Sequence, residues 1–148
     1  MKLKRITFVC TGNTCRSPMA EIILKNKLKL AGIKGVMVTS AGTTAIDGEK
    51  MSKNSAQALK KLGYKPYGFK SKRLTAALLL KSDLTVCMTT AHKIGISNFP
   101  GVYSVSELTG KRDVSDPYGG DLSVYLQTLY EIEDLCNEIV AIILKNKE

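Results

Sequence analysis

Cys10 and Arg16 stand at the two ends of the string Cys10-Thr11-Gly12-Asn13-Thr14-Cys15-Arg16, and Ser17-Pro18 follows. A thiol and a guanidinium with five residues between them can act on one ligand if the chain between them forms a tight loop. The flanking residues predict that loop. Ile6-Thr7-Phe8-Val9 is apolar and β-branched and reads as a buried strand. Ser17 reads as a helix N-cap, with Pro18 at the first helical position and Glu21 in the first turn, where a negative charge suits the helix dipole. Backbone N–H groups between a strand and a helix N-terminus converge on one point, and the dipole adds positive potential there. An anion fits such a place. Gly12 and Asn13 tolerate the left-handed backbone angles a tight loop needs. Arg16 can grip two oxygens of a phosphate at once.

The same surroundings favour a thiolate over a thiol. Cys10 is therefore a candidate nucleophile that needs no histidine, in a chain that has only His92. A hydroxyl donor such as Ser17 would stabilise the thiolate further. An inert strand-end cysteine and a surface arginine are the plainer readings. The Gly-Asn inside the loop and the Ser-Pro after it weigh against them. The string is not a nucleotide P-loop, which needs G-x-x-x-x-G-K-[ST]: the Gly110-Lys111 pair has Val105 where the first glycine should stand.

The chain of 148 residues fits a single domain spanning 1–148. With 44% hydrophobic and 24% charged residues it can bury a real core. No apolar run approaches the ~20 residues of a membrane span, and the run after the basic N-terminus is too short for a signal peptide. A cytoplasmic location, no membrane association and a monomer are the expectations. Four cysteines in such a chain are expected to be thiols. One histidine removes most histidine-based metal sites, so no metal and no cofactor are expected. The net charge of +9 is uneven: residues 1–100 carry 18 Lys and Arg against 4 Asp and Glu, whereas residues 101–148 carry 4 against 9. A basic surface attracts anionic partners, but no nucleic-acid motif accompanies it, so no obligatory nucleic acid is expected.

The elements that must position the loop alternate. Val36–Thr39, Leu84–Met88 and Val102–Val105 read as three further strands. Between them lie a helix from Ser17 to a C-cap at Gly32 and a second capped by Ser52 and stopped at Gly63. Short helices follow at Thr75–Lys81 and Ala91–Asn98. A polar loop over 109–121 leads into a long amphipathic helix with Leu122, Tyr125, Leu129, Ile132, Cys136, Ile139 and Ile143 on one face. Alternating strands and helices imply an α/β fold with a parallel sheet covered on both faces, and a ligand at the carboxyl ends of its strands. The first strand ends at Cys10.

Val9 to Glu21 (VCTGNTCRSPMAE), together with Asp116 to Gly120 (DPYGG), resembles the low-molecular-weight protein tyrosine phosphatase family, most closely its bacterial protein arginine phosphatase branch. The resemblance extends along essentially the whole chain. It implies a three-layer sandwich with a four-stranded parallel β-sheet, and metal-free hydrolysis of phosphorylated proteins through a phosphocysteine. It implies Cys10 as nucleophile, with Arg16 and the amides of residues 11 to 17 (Thr11, Gly12, Asn13, Thr14, Cys15, Arg16, Ser17) as phosphoryl binders. Asp116 is implied as the acid that protonates the leaving group and then activates water. By itself Asp116 could equally be a turn residue, and Asp113 and Asp121 are nearby substitutes. Asn13, Ser17 and Ser40 match positions that brace the loop. Cys15 matches a cysteine that traps oxidised Cys10 as a disulfide. Tyr118 would wall the pocket. Many family members also carry a loop-buttressing histidine. His92 lies in a different stretch, so that buttress is missing or built differently here.

Thr14 bears on the substrate. Tyrosine phosphatases of the family usually carry Ile or another bulky apolar residue there, whereas the arginine phosphatase branch carries Thr. A hydroxyl suits a polar guanidinium, and burying it unpartnered against a phenyl ring would cost ~1–3 kcal/mol. Phosphoarginine in proteins is the expected substrate, with phosphotyrosine as the alternative. A thiol-dependent arsenate reductase is a further alternative. It needs a cysteine relay, and Cys87 and Cys136 fall in core patterns instead.

Overall fold

The computed structural model describes residues 2–146; Met1, Lys147 and Glu148 of the expected 1–148 unit lie outside the described residues. Ten elements follow in order: β1 Arg5–Cys10, α1 Arg16–Leu30, β2 Met37–Gly42, α2 Lys53–Lys61, α3 Ala76–Lys81, β3 Leu84–Cys87, α4 Thr90–Ile94, β4 Val102–Ser104, α5 Val105–Thr109 and α6 Leu122–Lys145. The four strands form one sheet in the order β2-β1-β3-β4. All pairings are parallel, with Cys10 opposite Gly42 and Val9 opposite Cys87. Helices lie on both faces, as expected of the sandwich.

The strand period divides β1 between two cores. Ile6, Phe8 and Cys10 face the larger one, which they share with Met19, Ile23 and Leu24 of α1 and Leu129, Ile132 and Ile139 of α6. Val9 faces the smaller one, with Cys87 and Val102. The α6 stripe is buried as its spacing predicts, Leu135 joins it, and Leu122 is only partly buried. The sheet winds from β1 outward to β2 and then crosses back to β3. The carboxyl ends of β1 and β3 are thus neighbours where the winding reverses, which is where ligands bind in open α/β sheets.

Three local expectations are corrected. Helix α1 begins at Arg16 with Cys15 in the cap position and no side-chain cap. Ser17 is inside the helix, because its hydroxyl is engaged by Asn13 and Cys10. Glu21 is consequently beyond the first turn and bonds Ser40 and Lys25 instead. The last strand stops at Ser104, because Ser104 and Glu107 form a reciprocal capping box that starts α5 one residue later. Helix α4 is also shorter than the Ala91–Asn98 reading, ending at Ile94 before a turn closed by Ile96 N–H bonding Lys93 O.

Gly42 ends β2 directly beneath the loop that follows β1. A Cβ on it would lie 2.5 Å from Thr11 O, 2.9 Å from Asn13 N and 2.8 Å from Ala45 Cβ. Two of those atoms are backbone, so the close approach requires glycine. Gly42→Ala is expected to lower stability by about 1–3 kcal/mol, the usual cost of overpacking. Urea denaturation checks this; an unchanged midpoint would contradict the packing argument.

Candidate active site

The segment from Cys10 to Arg16 wraps around a pocket of about 230 Å³ lined by Cys10, Thr11, Gly12, Thr14, Cys15, Arg16, Asp116 and Tyr118. The structure thus brings together eight residues that the sequence placed at the site. The remaining three, Asn13, Ser17 and Ser40, are buried behind the loop. Among the described residues the amides of Gly12, Asn13, Thr14 and Cys15 donate to no protein oxygen. They sit at the N-terminus of the 15-residue helix α1, whose own first amides also lack a cap. Unpaired amides and a helix dipole together make an anion site.

Asn13 holds the loop in this form. Its φ is 56°, and it has the one positive φ outside glycine among the described residues. Its side-chain amide donates to Ser17 Oγ at 2.8 Å and to Ser40 Oγ at 3.0 Å, while its Oδ1 accepts from Lys72 N at 2.9 Å. These bonds orient the hydroxyls. Ser40 donates onward to Glu21 Oε1 at 2.7 Å. Ser17 Oγ, which accepts from Asn13, lies 2.8 Å from Cys10 Sγ. A hydroxyl at that distance is in position for the contact with Cys10 expected of Ser17.

Other elements tie down the loop backbone. Thr43 N bonds Cys10 O at 2.9 Å, Thr44 N bonds Thr11 O at 3.0 Å, and Ser52 N bonds Thr14 O at 2.9 Å. Cys15 Sγ lies 3.5 Å from Ser52 Oγ and 3.5 Å from Tyr125 Oη. Burial, with the Cys15 contact, pushes the Tyr125 phenol up to about 12.

Arg16 is 4% exposed. One of its nitrogens donates to Val114 O at 3.1 Å, and another lies 3.6 Å from Asp116 Oδ2. Asp116 has the contact of a turn residue and also a place on the pocket wall. Its Oδ1 accepts from Tyr118 N at 3.1 Å as a turn residue would, and its carboxylate also faces the pocket. Tyr118 stands at the rim, 82% exposed. The two nearby aspartates are committed elsewhere. Asp113 accepts from Thr90 N, Thr90 Oγ1 and Ser106 N. Burial pushes its carboxyl upward, but those bonds outweigh it and hold the group below its ordinary range. Asp121 caps α6 through Val124 N and also bonds Ser123.

His92 was not among the expected site residues, yet it reaches the loop. Its Nε2 is 2.8 Å from Thr11 Oγ1 and its Nδ1 is 2.9 Å from Thr89 Oγ1. A neutral imidazole donates from one nitrogen and accepts at the other, so it bridges the two hydroxyls. A histidine from α4 therefore contacts the loop through Thr11, in keeping with a buttress built differently here. Burial and the Arg16 guanidinium hold its pKa below the ordinary 6.5, against the pull of Asp116 and Asp113. Cys87 and Cys136 are fully buried, as their patterns predicted. Burial raises both thiols, Cys87 to about 12. Neither lines the pocket. All four cysteines are free thiols.

Residues 5–148 match the family model of the low molecular weight phosphotyrosine protein phosphatases. The chain belongs to this family. It is 37% identical to a protein-arginine-phosphatase of Bacillus subtilis (strain 168), over 96% of this chain and 98% of the relative. It is 38% identical to the low molecular weight protein-tyrosine-phosphatase PtpB of Staphylococcus haemolyticus, over 86% of this chain and 91% of the relative. Among solved structures it is similar to the arginine phosphatase YwlE, in a Cys-to-Ser mutant with a phosphorylated active-site serine. The TM-score is 0.88 at 34% identity, covering 95% of this chain and 96% of that one. The phosphatase family thus accommodates both substrate classes at nearly equal similarity to this chain. Among the described residues no group of acidic, histidine and cysteine side chains is placed to hold a metal ion, and no helix is long and apolar enough to cross a membrane.

The depressed pKa of His92 gives a pH dependence. Below its ordinary value the unfolded chain takes up a proton that the folded protein resists. Stability from this group is therefore complete above about pH 6.5 and falls as pH drops through that value toward the lower folded one. His92→Gln is expected to flatten the decline in urea midpoint between about pH 7.5 and 5.5. An identical decline in both proteins would contradict the assignment.

Proposed function

We propose that this family member is a cysteine-dependent, metal-free protein phosphatase that hydrolyses phosphoarginine. The observation that carries the reading is the convergence of Cys10, Arg16 and Asp116 on one small pocket whose wall includes Thr14. The substrate's phosphoryl oxygens replace the missing partners of the loop amides and of Arg16. The Cys10 thiolate attacks phosphorus in line with the departing guanidino nitrogen. The S–P bond forms as the P–N bond breaks, and Asp116 gives its proton to that nitrogen. Asp116, now a carboxylate, takes a proton from water. The resulting hydroxide attacks phosphorus, inorganic phosphate departs, and the thiolate returns. The phosphorylated serine in the mutant YwlE structure supports a covalent route in a relative.

Thr14 carries the choice of substrate. Its Oγ1 lies 4.0 Å from Cys15 Sγ and makes no shorter hydrogen bond among the described residues, so it is available to a ligand. A guanidinium supplies polar N–H groups to that hydroxyl, and a phenyl ring does not. The alternative substrate, phosphotyrosine, uses the same Cys10, Arg16 and Asp116. The arsenate reading has no cysteine relay near the pocket to support it. The partners in this reading are phosphorylated proteins, met in the cytoplasm by a monomer. Cys15 is the proposed resolving thiol: after a peroxide oxidises Cys10 to a sulfenic acid, Cys15 condenses with it, forming a disulfide and releasing water.

Two outcomes test this. Phosphate release from a phosphoarginine protein and a phosphotyrosine peptide, measured side by side, is expected to favour phosphoarginine and to disappear in Cys10→Ser. Thr14→Ile is expected to shift the ratio of kcat/KM toward phosphotyrosine by about 5- to 150-fold, as a 1–3 kcal/mol hydroxyl effect implies. An unmoved ratio would remove the reason for the arginine assignment. Separately, Asp116→Asn is expected to lower kcat by about 10²–10⁴ on substrates whose leaving group needs a proton. A kcat within a few fold of the parent protein would take the acid role from Asp116.

A further inference from the structure

The two faces of the sheet are unequally covered. Helices α1, α2 and α6 pack over the larger core. The smaller core, Val9 with Cys87 and Val102, is closed by Leu74, Ile96 and Phe99, all three only partly buried. Between α3 and α4 on that side lies an open groove of about 580 Å³. Leu74, Leu79, Ile96 and Phe99 make it apolar, and Thr11 and His92 form its end at the phosphate loop. On the same two helices Leu80 is 66% and Ile94 is 74% exposed. An open apolar groove marks a place where another apolar group binds.

We propose that this groove seats an apolar side chain of the protein substrate, one or two residues from the phosphorylated one. The proposal rests on the phosphatase reading above. Thr11 belongs to both the groove and the phosphoryl pocket. The pocket, at about 230 Å³, holds one phosphorylated side chain end. The polypeptide carrying that side chain must cross the pocket's mouth, and extended chain advances about 3.3 Å per residue. A residue one or two positions along therefore arrives over the groove that begins at Thr11. Specificity for sequence around the phosphorylated residue then has a physical source separate from Thr14, which reads the phosphorylated residue itself.

Matched peptides test it. Each carries phosphoarginine or phosphotyrosine, flanked on both sides by Leu or by Ser, with free phosphoarginine and phosphotyrosine as references. Burying one Leu side chain is expected to raise kcat/KM for the Leu-flanked peptide about tenfold over the Ser-flanked one, on whichever phosphorylated residue is hydrolysed. Ala76→Glu places a carboxylate at the groove. Ala76 is exposed and is the first residue of α3, where an acidic side chain suits the helix. Each variant's peptide turnover is divided by its own turnover of the free phospho-amino acid. The Leu-over-Ser ratio is expected to fall to about one in Ala76→Glu and to persist in Ala76→Ser. A ratio near one in the parent protein, or one unchanged by Ala76→Glu, overturns the groove while leaving the phosphatase reading intact. A dimer in sedimentation that Ala76→Glu dissociates, with the ratio unchanged, assigns the groove to a second copy instead and overturns the proposal. No phosphate release from any of the substrates overturns both readings.

Discussion

Everything at the site depends on the backbone of Asn13 staying left-handed. A side chain in that region costs roughly 1–2 kcal/mol relative to ordinary geometry. Three hydrogen bonds from its buried amide oppose that cost, each contributing about 1 kcal/mol net. They also engage the hydroxyls behind the loop. Ser40 accepts from Asn13 and gives to Glu21, and Ser17 accepts from Asn13 and lies against Cys10 Sγ. Asn13 thereby supports, beside the bonds from Thr43, Thr44 and Ser52 to the loop carbonyls, the geometry in which the amides of Gly12 to Cys15 donate to no protein oxygen among the described residues. One residue thus links the left-handed turn of the loop to the hydroxyl that faces Cys10.

The elements around the loop serve that geometry by making close approach possible. Gly42 allows β2 to lie against Thr11 and Asn13, and Ser52 of the α2 cap holds Thr14 O. Parallel neighbours β1 and β3 end side by side, so the segment after β3 delivers His92 to Thr11. The pocket's acidic wall comes from the loop before α6, anchored because Arg16 also holds Val114 O and Val114 N bonds Met88 O. The Arg16 side chain therefore joins the phosphate loop and the acid loop in one rigid arrangement. Such preorganisation is what electrostatic catalysis of phosphoryl transfer requires.

How much of this was legible in the sequence follows distance along the chain. Cys10, Thr14 and Arg16 could be read because strand, loop and helix are consecutive and their spacing sets the geometry. Asp116 was legible only beside them, since an Asp-Pro pair fits a turn equally well, and it both makes the turn contact and lines the pocket. His92 was not legible as a loop residue. Its placement depends on β3 pairing with β1, and the sequence carries no signal of strand order. The second strand reads as Val36–Thr39, so Gly42 falls outside it, and its importance lies in another segment's backbone. Ser17 was misread for a physical reason: a serine before proline is good cap chemistry, and the same hydroxyl serves better as the Asn13–Cys10 relay. The capping box of α5 was present as Ser104 and Glu107, but the β-branched run before it carried the strand reading one residue too far.

The claim on which the account turns is that phosphorus passes through a bond to Cys10. Acid quench followed by peptide mapping reads this directly, using an aryl phosphate whose leaving group needs no proton and Asp116→Ala to slow attack by water. The account predicts a phosphoryl group on Cys10 that builds up in a burst with release of the aryl alcohol. Turnover with phosphorus on another residue, or with no covalent phosphoprotein during the burst, would contradict it.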